Sequence, residues 1–130
     1  MMDEARLMRE AGKARENAYA PYSGFTVGAA LAANDGRVFH GCNVENASYG
    51  LSCCAERAAF YTALAAGCKV GEFAALAVVG ECEKPLTPCG ACRQVILELG
   101  GADLPVYAGN TRGEIHKFTA ADLLPEAFSL

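Results

Sequence analysis

Two segments in this chain pair a strand-like run with a helix that opens on cysteine, and that arrangement constrains the fold more than any other feature. The first helix start lies in CCAERAAF (53–60) and the second in PCGACRQV (88–95). RVFHGCNVEN (37–46) precedes the first, and FAALAVVG (73–80) precedes the second. Strand–helix–strand repeats argue for a sheet carrying helices on its faces, joined by right-handed crossovers. When two helices follow strands of one sheet, both N-termini can open at one edge, at the strands' carboxyl ends.

The rest of the pattern supports this. Leu7, Met8, Ala11, Ala14 and Ala18 recur at helical spacing over residues 3–18. Pro21 and Gly24 end that rhythm. TVGAALAA (26–33) and RVFHGCNVEN flank Asn34-Asp35-Gly36, a hairpin signal. The first cysteine-bearing helix is expected to open at Ser52 or Cys53 and close at Gly67; the second follows Pro88 and Gly90 and ends at Gly100-Gly101. LPVYAGN (104–110) and EIHKFT (114–119) read as two more strands, and AADLLP as a short helix. The order is αββαβαββα, with five strands.

A chain of 130 residues suits one domain, 1–130, and 52% of it is hydrophobic. That share is generous for a small body. It fits either a dense alanine-rich core or apolar surface buried between subunits. The net charge of −4, with no Lys/Arg stripe, argues against a long nucleic acid as partner and suits a small neutral ligand. No apolar run approaches the ~20 residues needed to cross a bilayer. MMDEARLMREAGKAR lacks an apolar signal region, so a cytoplasmic protein is expected. The seven cysteines are then thiols or metal ligands rather than a disulfide framework.

Cys89-x-x-Cys92 alone is ambiguous between half a zinc site and a redox dithiol. Cys54 starts the other long helix. A helix N-terminus favours thiolate, and three converging thiolates would hold Zn²⁺ with one position left for water, the arrangement of a catalytic zinc. Glu56 lies two residues past Cys54 and so points to a different side of the helix. It can face the open position and move a proton without being a ligand, a pattern described for zinc deaminases. Arg57 can hydrogen-bond a thiolate sulfur and draw off negative charge. Cys53 adjoins Cys54 and can compete for metal; register with Glu56 and Arg57 selects Cys54.

APYSGFTVGAA (20–30), GCNVENASYG (41–50), CAER (54–57) and PCGACRQV together resemble the short homotetrameric zinc-dependent cytidine deaminase family. The likeness runs from the first helix to LLPEAF near the chain's end. The resemblance implies a three-layer α/β/α fold with a five-stranded mixed sheet. It implies Cys54, Cys89 and Cys92 as ligands of one Zn²⁺ per subunit, Glu56 as the proton shuttle and Arg57 as the arginine offsetting thiolate charge. It implies that Asn43 and Glu45 bind the ribose and that Phe25 and Ala55 line the nucleoside pocket. Tyr49 and Phe128 match residues that neighbouring subunits of a homotetramer contribute to that pocket. The implied reaction is hydrolysis of cytidine and 2′-deoxycytidine to uridine and 2′-deoxyuridine with release of ammonia, as in pyrimidine salvage.

Plainer readings stand beside these. The cysteines can be packing or redox residues; Asn43, Glu45 and Asn46 turn formers; Phe25 core; Tyr49 and Phe128 surface aromatics. Cys42, Cys68 and Cys82 read as packing residues, and His40 and His116 sit on strands away from the motifs. Two rival functions stay open. One is a deaminase of the same build acting on another aminopyrimidine, such as blasticidin S. The other is a non-catalytic zinc module whose site is closed by a fourth protein ligand, Glu56 or Cys53.

Overall fold

The alternating pattern produces five strands and four α-helices in a computed structural model that describes residues 3–130. They are α1 (Glu4–Arg15), β1 (Val27–Ala33), β2 (Val38–Cys42), α2 (Ala55–Ala65), β3 (Phe73–Gly80), α3 (Gly90–Gly100), β4 (Pro105–Asn110), β5 (Ile115–Thr119) and α4 (Ala120–Leu123). A 3₁₀ turn, Tyr49–Leu51, precedes α2.

The strands form one sheet in the order β2-β1-β3-β4-β5. β1 is antiparallel to both β2 and β3, β3 is parallel to β4, and β5 is antiparallel to β4. Strands β2, β3 and β4 therefore share a direction. α2 joins β2 to β3 and α3 joins β3 to β4, both stepping the same way across the sheet. One crossover hand then puts both helices on one face. Phe60 of α2 and Ile96 of α3 pack there with Leu31, Leu76, Val78 and Val106. α1 covers the other face, where Leu7 and Ala11 meet Ala30, Ala32, Ala75, Ala77 and Val79. The sheet is mixed and lies between two helical layers, the architecture expected. β1 is buried along its whole length because helices cover both its faces, so it shows no polar alternation.

Some boundaries differ from those expected. α1 stops at Arg15, and the backbone of residues 16–18 closes in short turns onto Lys13, Ala14 and Arg15. β2 ends at Cys42 rather than Asn46. Beyond it the chain leaves β1, and Val44 bridges to Tyr19 on one side and Cys53 on the other. That bridge holds Cys53 in extended backbone, so α2 begins at Ala55 with Cys54 as its N-cap, not at Ser52 or Cys53. α2 also lies unusually close to β2. A Cβ on Gly41 would overlap the Ala55 carbonyl oxygen and the Ala59 nitrogen, so only glycine admits the helix at this approach.

Candidate active site

Cys54 is the N-cap of α2, and Cys89 is the N-cap of α3. Neither side chain bonds its own helix end, so both sulfurs are free for other partners. Cys92 follows one turn after Cys89, on the same face of α3. The three sulfurs lie within 4.8 Å of one another. Cys54 Sγ and Cys89 Sγ are 3.7 Å apart. A tetrahedral zinc with Zn–S bonds of ~2.3 Å needs sulfurs ~3.8 Å apart, so the cluster fits that ion. Among the described residues no fourth His, Cys, Asp or Glu atom joins it. Cys53 stays out because its Sγ turns to the Cys54 carbonyl oxygen, 3.6 Å away.

The surroundings set the charge states. Hydrogen bonding with Cys92, and then with Arg57, holds the Cys54 thiol down to about 5. Cys92 is fully buried, and its bond to Cys54 and that burial push its thiol well above the ordinary range. Metal binding displaces the protons that such a thiol cluster retains. Arg57 Nη2 donates to Cys54 Sγ at 3.4 Å, and the same contact raises the pKa of the guanidinium. Glu56 is 3% exposed, and burial pushes its carboxyl up to about 7. A carboxyl poised there can both take and give a proton near neutrality.

Phe25, Asn43, Glu45, Ala55 and Glu56 line one cavity of about 240 Å³, with Cys54 and Cys89 in its wall. The Asn43 amide oxygen accepts from Val27 N at 2.8 Å, and its Nδ2 donates to the Phe25 carbonyl at 2.8 Å. Glu45 Oε1 accepts from the backbone N–H groups of Tyr22 at 3.0 Å and Ser23 at 3.1 Å, and Oε2 accepts from the Ser23 hydroxyl. Those bonds, the hydroxyl's first, hold the Glu45 carboxyl below its usual range.

Tyr49 and Phe128 are not brought to this cavity. They are 79% and 70% exposed. Tyr49 packs edge-on to Tyr22, with ring centroids 6.4 Å apart, and Phe128 is tied through its carbonyl to Gln94 Nε2 at 3.2 Å. Cys42, Cys68 and Cys82 lie outside the sulfur cluster, and Cys68 accepts from Arg37 at 3.4 Å. His40 pairs with Glu10 at 2.9 Å. Ser23, Val27, Leu86 and Thr87 also line the cavity and were not singled out from sequence. Their signal was position: Ser23 and Val27 fall within APYSGFTVGAA, and Leu86-Thr87 directly precede PCGAC.

The comparisons with known proteins point the same way as the geometry. The family described as "Cytidine and deoxycytidylate deaminase zinc-binding region" matches residues 1–108. A cytidine deaminase of Sporosarcina psychrophila is 55% identical over 128 residues, spanning 98% of this chain and 93% of the relative. The crystal structure of cytidine deaminase from Burkholderia pseudomallei superposes with a TM-score of 0.97 at 61% identity, over 98% of this chain and 100% of that one. That of Mycobacterium tuberculosis cytidine deaminase gives 0.85 at 44% identity, over 100% of both chains. With a three-cysteine cluster, a buried acid beside it and full-length relatives of this kind, the chain belongs to the cytidine deaminase family of zinc-binding deaminases.

Proposed function

We propose that residues 1–130 act as one catalytic domain that hydrolyses cytidine and 2′-deoxycytidine to uridine and 2′-deoxyuridine, releasing ammonia. The observation that carries this reading is Glu56: it is buried in the wall of the cavity that the sulfur cluster borders, yet lies outside the cluster. Held by Cys54, Cys89 and Cys92, one Zn²⁺ per subunit supplies Lewis acidity that brings the pKa of water towards ~7. Glu56 takes a proton from the attacking water and delivers it to N3 of the cytosine ring. It then takes the second proton, from the new hydroxyl on C4, and passes it to the amine. The water oxygen stays on C4 as the carbonyl, and the amine leaves as ammonia. Arg57 draws charge from the Cys54 sulfur, which keeps a three-thiolate centre electrophilic.

Phe25 and Ala55 form walls against the base, and Asn43 and Glu45 take the sugar. Their structural bonds leave Asn43 one N–H and Glu45 Oε2 one lone pair. One sugar hydroxyl can accept from the first and donate to the second. The 3′-hydroxyl is common to ribose and deoxyribose, so both nucleosides fit. Tyr49 and Phe128 serve a neighbouring subunit's cavity in a homotetramer; their exposure and their absence from the lining of their own cavity support this. Seven cysteines, all free, suit the reducing cytoplasm, where pyrimidine salvage runs.

Ammonia release from cytidine by zinc-loaded protein tests the reading, with Glu56→Ala alongside. The variant should hold zinc normally and turn over at least ~10²–10⁴-fold more slowly, the range supplied by a positioned acid–base group. Normal turnover without Glu56 would refute the mechanism. Wild-type inactivity on cytidine, with activity on another aminopyrimidine, would reassign the substrate.

A further inference from the structure

One wall of the cavity belongs to the segment joining α1 to β1, which contributes Ser23 and Phe25. This segment is not a strand, so its position depends on the few bonds that strap it to residues 43–45. Tyr19 N donates to the Asn43 carbonyl, and Glu45 N donates to the Tyr19 carbonyl, at 2.9 and 2.8 Å. The side chains of Asn43 and Glu45 supply the other ties. Ser23 is the only residue in the strap whose own side chain answers them. Its hydroxyl reaches Glu45 Oε2 and also receives the Phe25 N–H at 3.0 Å.

The direction of that relay is fixed by the donor inventory. A hydroxyl has one proton to donate, and an ionised carboxylate only accepts. The order is therefore Phe25 N–H to Ser23 Oγ, and Ser23 O–H to Glu45 Oε2. Gly24, at φ +70°, lets the backbone turn sharply enough for the Ser23 oxygen to meet the amide two residues on. The Phe25 amide thus orients the hydroxyl, and the hydroxyl orients the carboxylate. Two backbone donors pin Oε1 of Glu45. Ser23 alone sets the rotation that leaves the last lone pair of Oε2 facing a defined direction.

We propose that Ser23 is a positioning residue that locks the Glu45 carboxylate for the sugar hydroxyl of the nucleoside. This rests on the deaminase reading above. Ser23 has no hydrogen bond to the cysteine cluster or to Glu56, which stand on α2 and α3. Its effect passes through Glu45, which holds the sugar equally in the ground and transition states. Such uniform binding appears in KM and not in kcat.

The test is steady-state kinetics of Ser23→Ala and Ser23→Thr beside the wild type, with cytidine and with 2′,3′-dideoxycytidine. Ser23→Ala should raise KM for cytidine about tenfold, the scale of one hydrogen bond to a charged group, with kcat within about twofold of wild type. Ser23→Thr, which keeps the hydroxyl, should restore KM. On the dideoxynucleoside, which lacks the 3′-hydroxyl, the Ser23→Ala penalty should disappear. A merely structural role would raise KM on both substrates alike, or lower kcat or zinc content, and would overturn the proposal. So would an unchanged KM for cytidine. Should Ser23→Ala fail to fold, Ser23→Cys keeps the volume, weakens the donor and carries the same expectation. A wild type inactive on cytidine would sink the deaminase reading itself; an active wild type with an indifferent Ser23→Ala sinks only this inference.

Discussion

Replacing Gly41 by alanine should loosen the metal site from a distance, through the helix that carries Cys54. Gly41 lies in β2, directly beneath α2. An added Cβ would stand 2.5 Å from Ala59 N and 3.0 Å from Ala59 Cα, and would overlap the Ala55 carbonyl oxygen. Ordinary contact begins at 3.4 Å. The obstructing atoms are helix backbone, so no rotamer change relieves them, and α2 must retreat by about 1 Å. α3 packs against α2 but also against α4, so it would follow only in part. The 3.7 Å separation of Cys54 and Cys89 would then widen, whereas metal–ligand distances tolerate only about ±0.2 Å. Overpacking of this kind costs about 1–3 kcal/mol, or about 4–12 °C in Tm for a domain of this size. Scanning calorimetry reads the first effect, and zinc per chain after dialysis against a zinc-buffering chelator reads the second. Gly12→Ala is the control: no atom lies within 4 Å of the added methyl in α1, so that change should stabilise by about 0.5–1 kcal/mol. A Gly41→Ala protein with wild-type Tm and wild-type zinc retention would refute the claim that close helix–strand contact sets the sulfur geometry.

Three further outcomes are expected. Chelation should lower Tm, and returning zinc should raise it with concentration, by about 2.7 kcal/mol of stability at 100 times Kd; a Tm indifferent to zinc would mean the sulfurs do not hold it. Arg57→Gln removes the donor to Cys54 Sγ and should weaken zinc retention or activity by about 10–100-fold, measured by competition with a chromophoric chelator and by ammonia release. The Glu45 carboxyl is depressed below its ordinary 4.5, so the loop contacts it anchors are fully present above that pH and are lost as pH falls through the lower folded value. Carbon NMR should follow that titration, and in Ser23→Ala the midpoint should move up towards 4.5; an unmoved midpoint would count against the hydroxyl as the main cause.

The features legible in the sequence were local in origin or followed from chain order. Cysteines at two helix starts, each after a strand of one sheet, already imply convergence at one edge, and the structure places Cys54, Cys89 and Cys92 together there. Five strands with helices on the sheet's faces likewise follow from element order; the mixed sheet was implied by the family resemblance. What escaped depends on pairing across the fold. Helix propensity extends α2 back to Ser52, but the Val44–Cys53 bridge holds that stretch extended. Gly41 reads as one more strand residue until α2 is seen against it. Ser23 reads as part of a turn, because its partner Glu45 is 22 positions away.

The topology also bears on the rival readings of the cysteines. β1 stands between β2 and β3, so α2 has to cross two strand spacings of ~4.8 Å each, about the width of a helix. That leaves room for α3 beside it on the same face, with both N-termini at the carboxyl ends of parallel strands. A redox dithiol needs only Cys89 and Cys92. Here a third sulfur, from another helix, approaches Cys89 to 3.7 Å and takes the Arg57 guanidinium. A closed structural zinc site needs a fourth donor, and the two nearest in sequence are both diverted. Cys53 is held in the Val44 bridge with its sulfur on a backbone carbonyl. Glu56 is buried in the cavity wall beside Cys92 and is not one of the three clustered donors. Three donors with an acid set aside beside them is an arrangement suited to moving protons at an open coordination position, and poorly suited to holding two pieces of chain together.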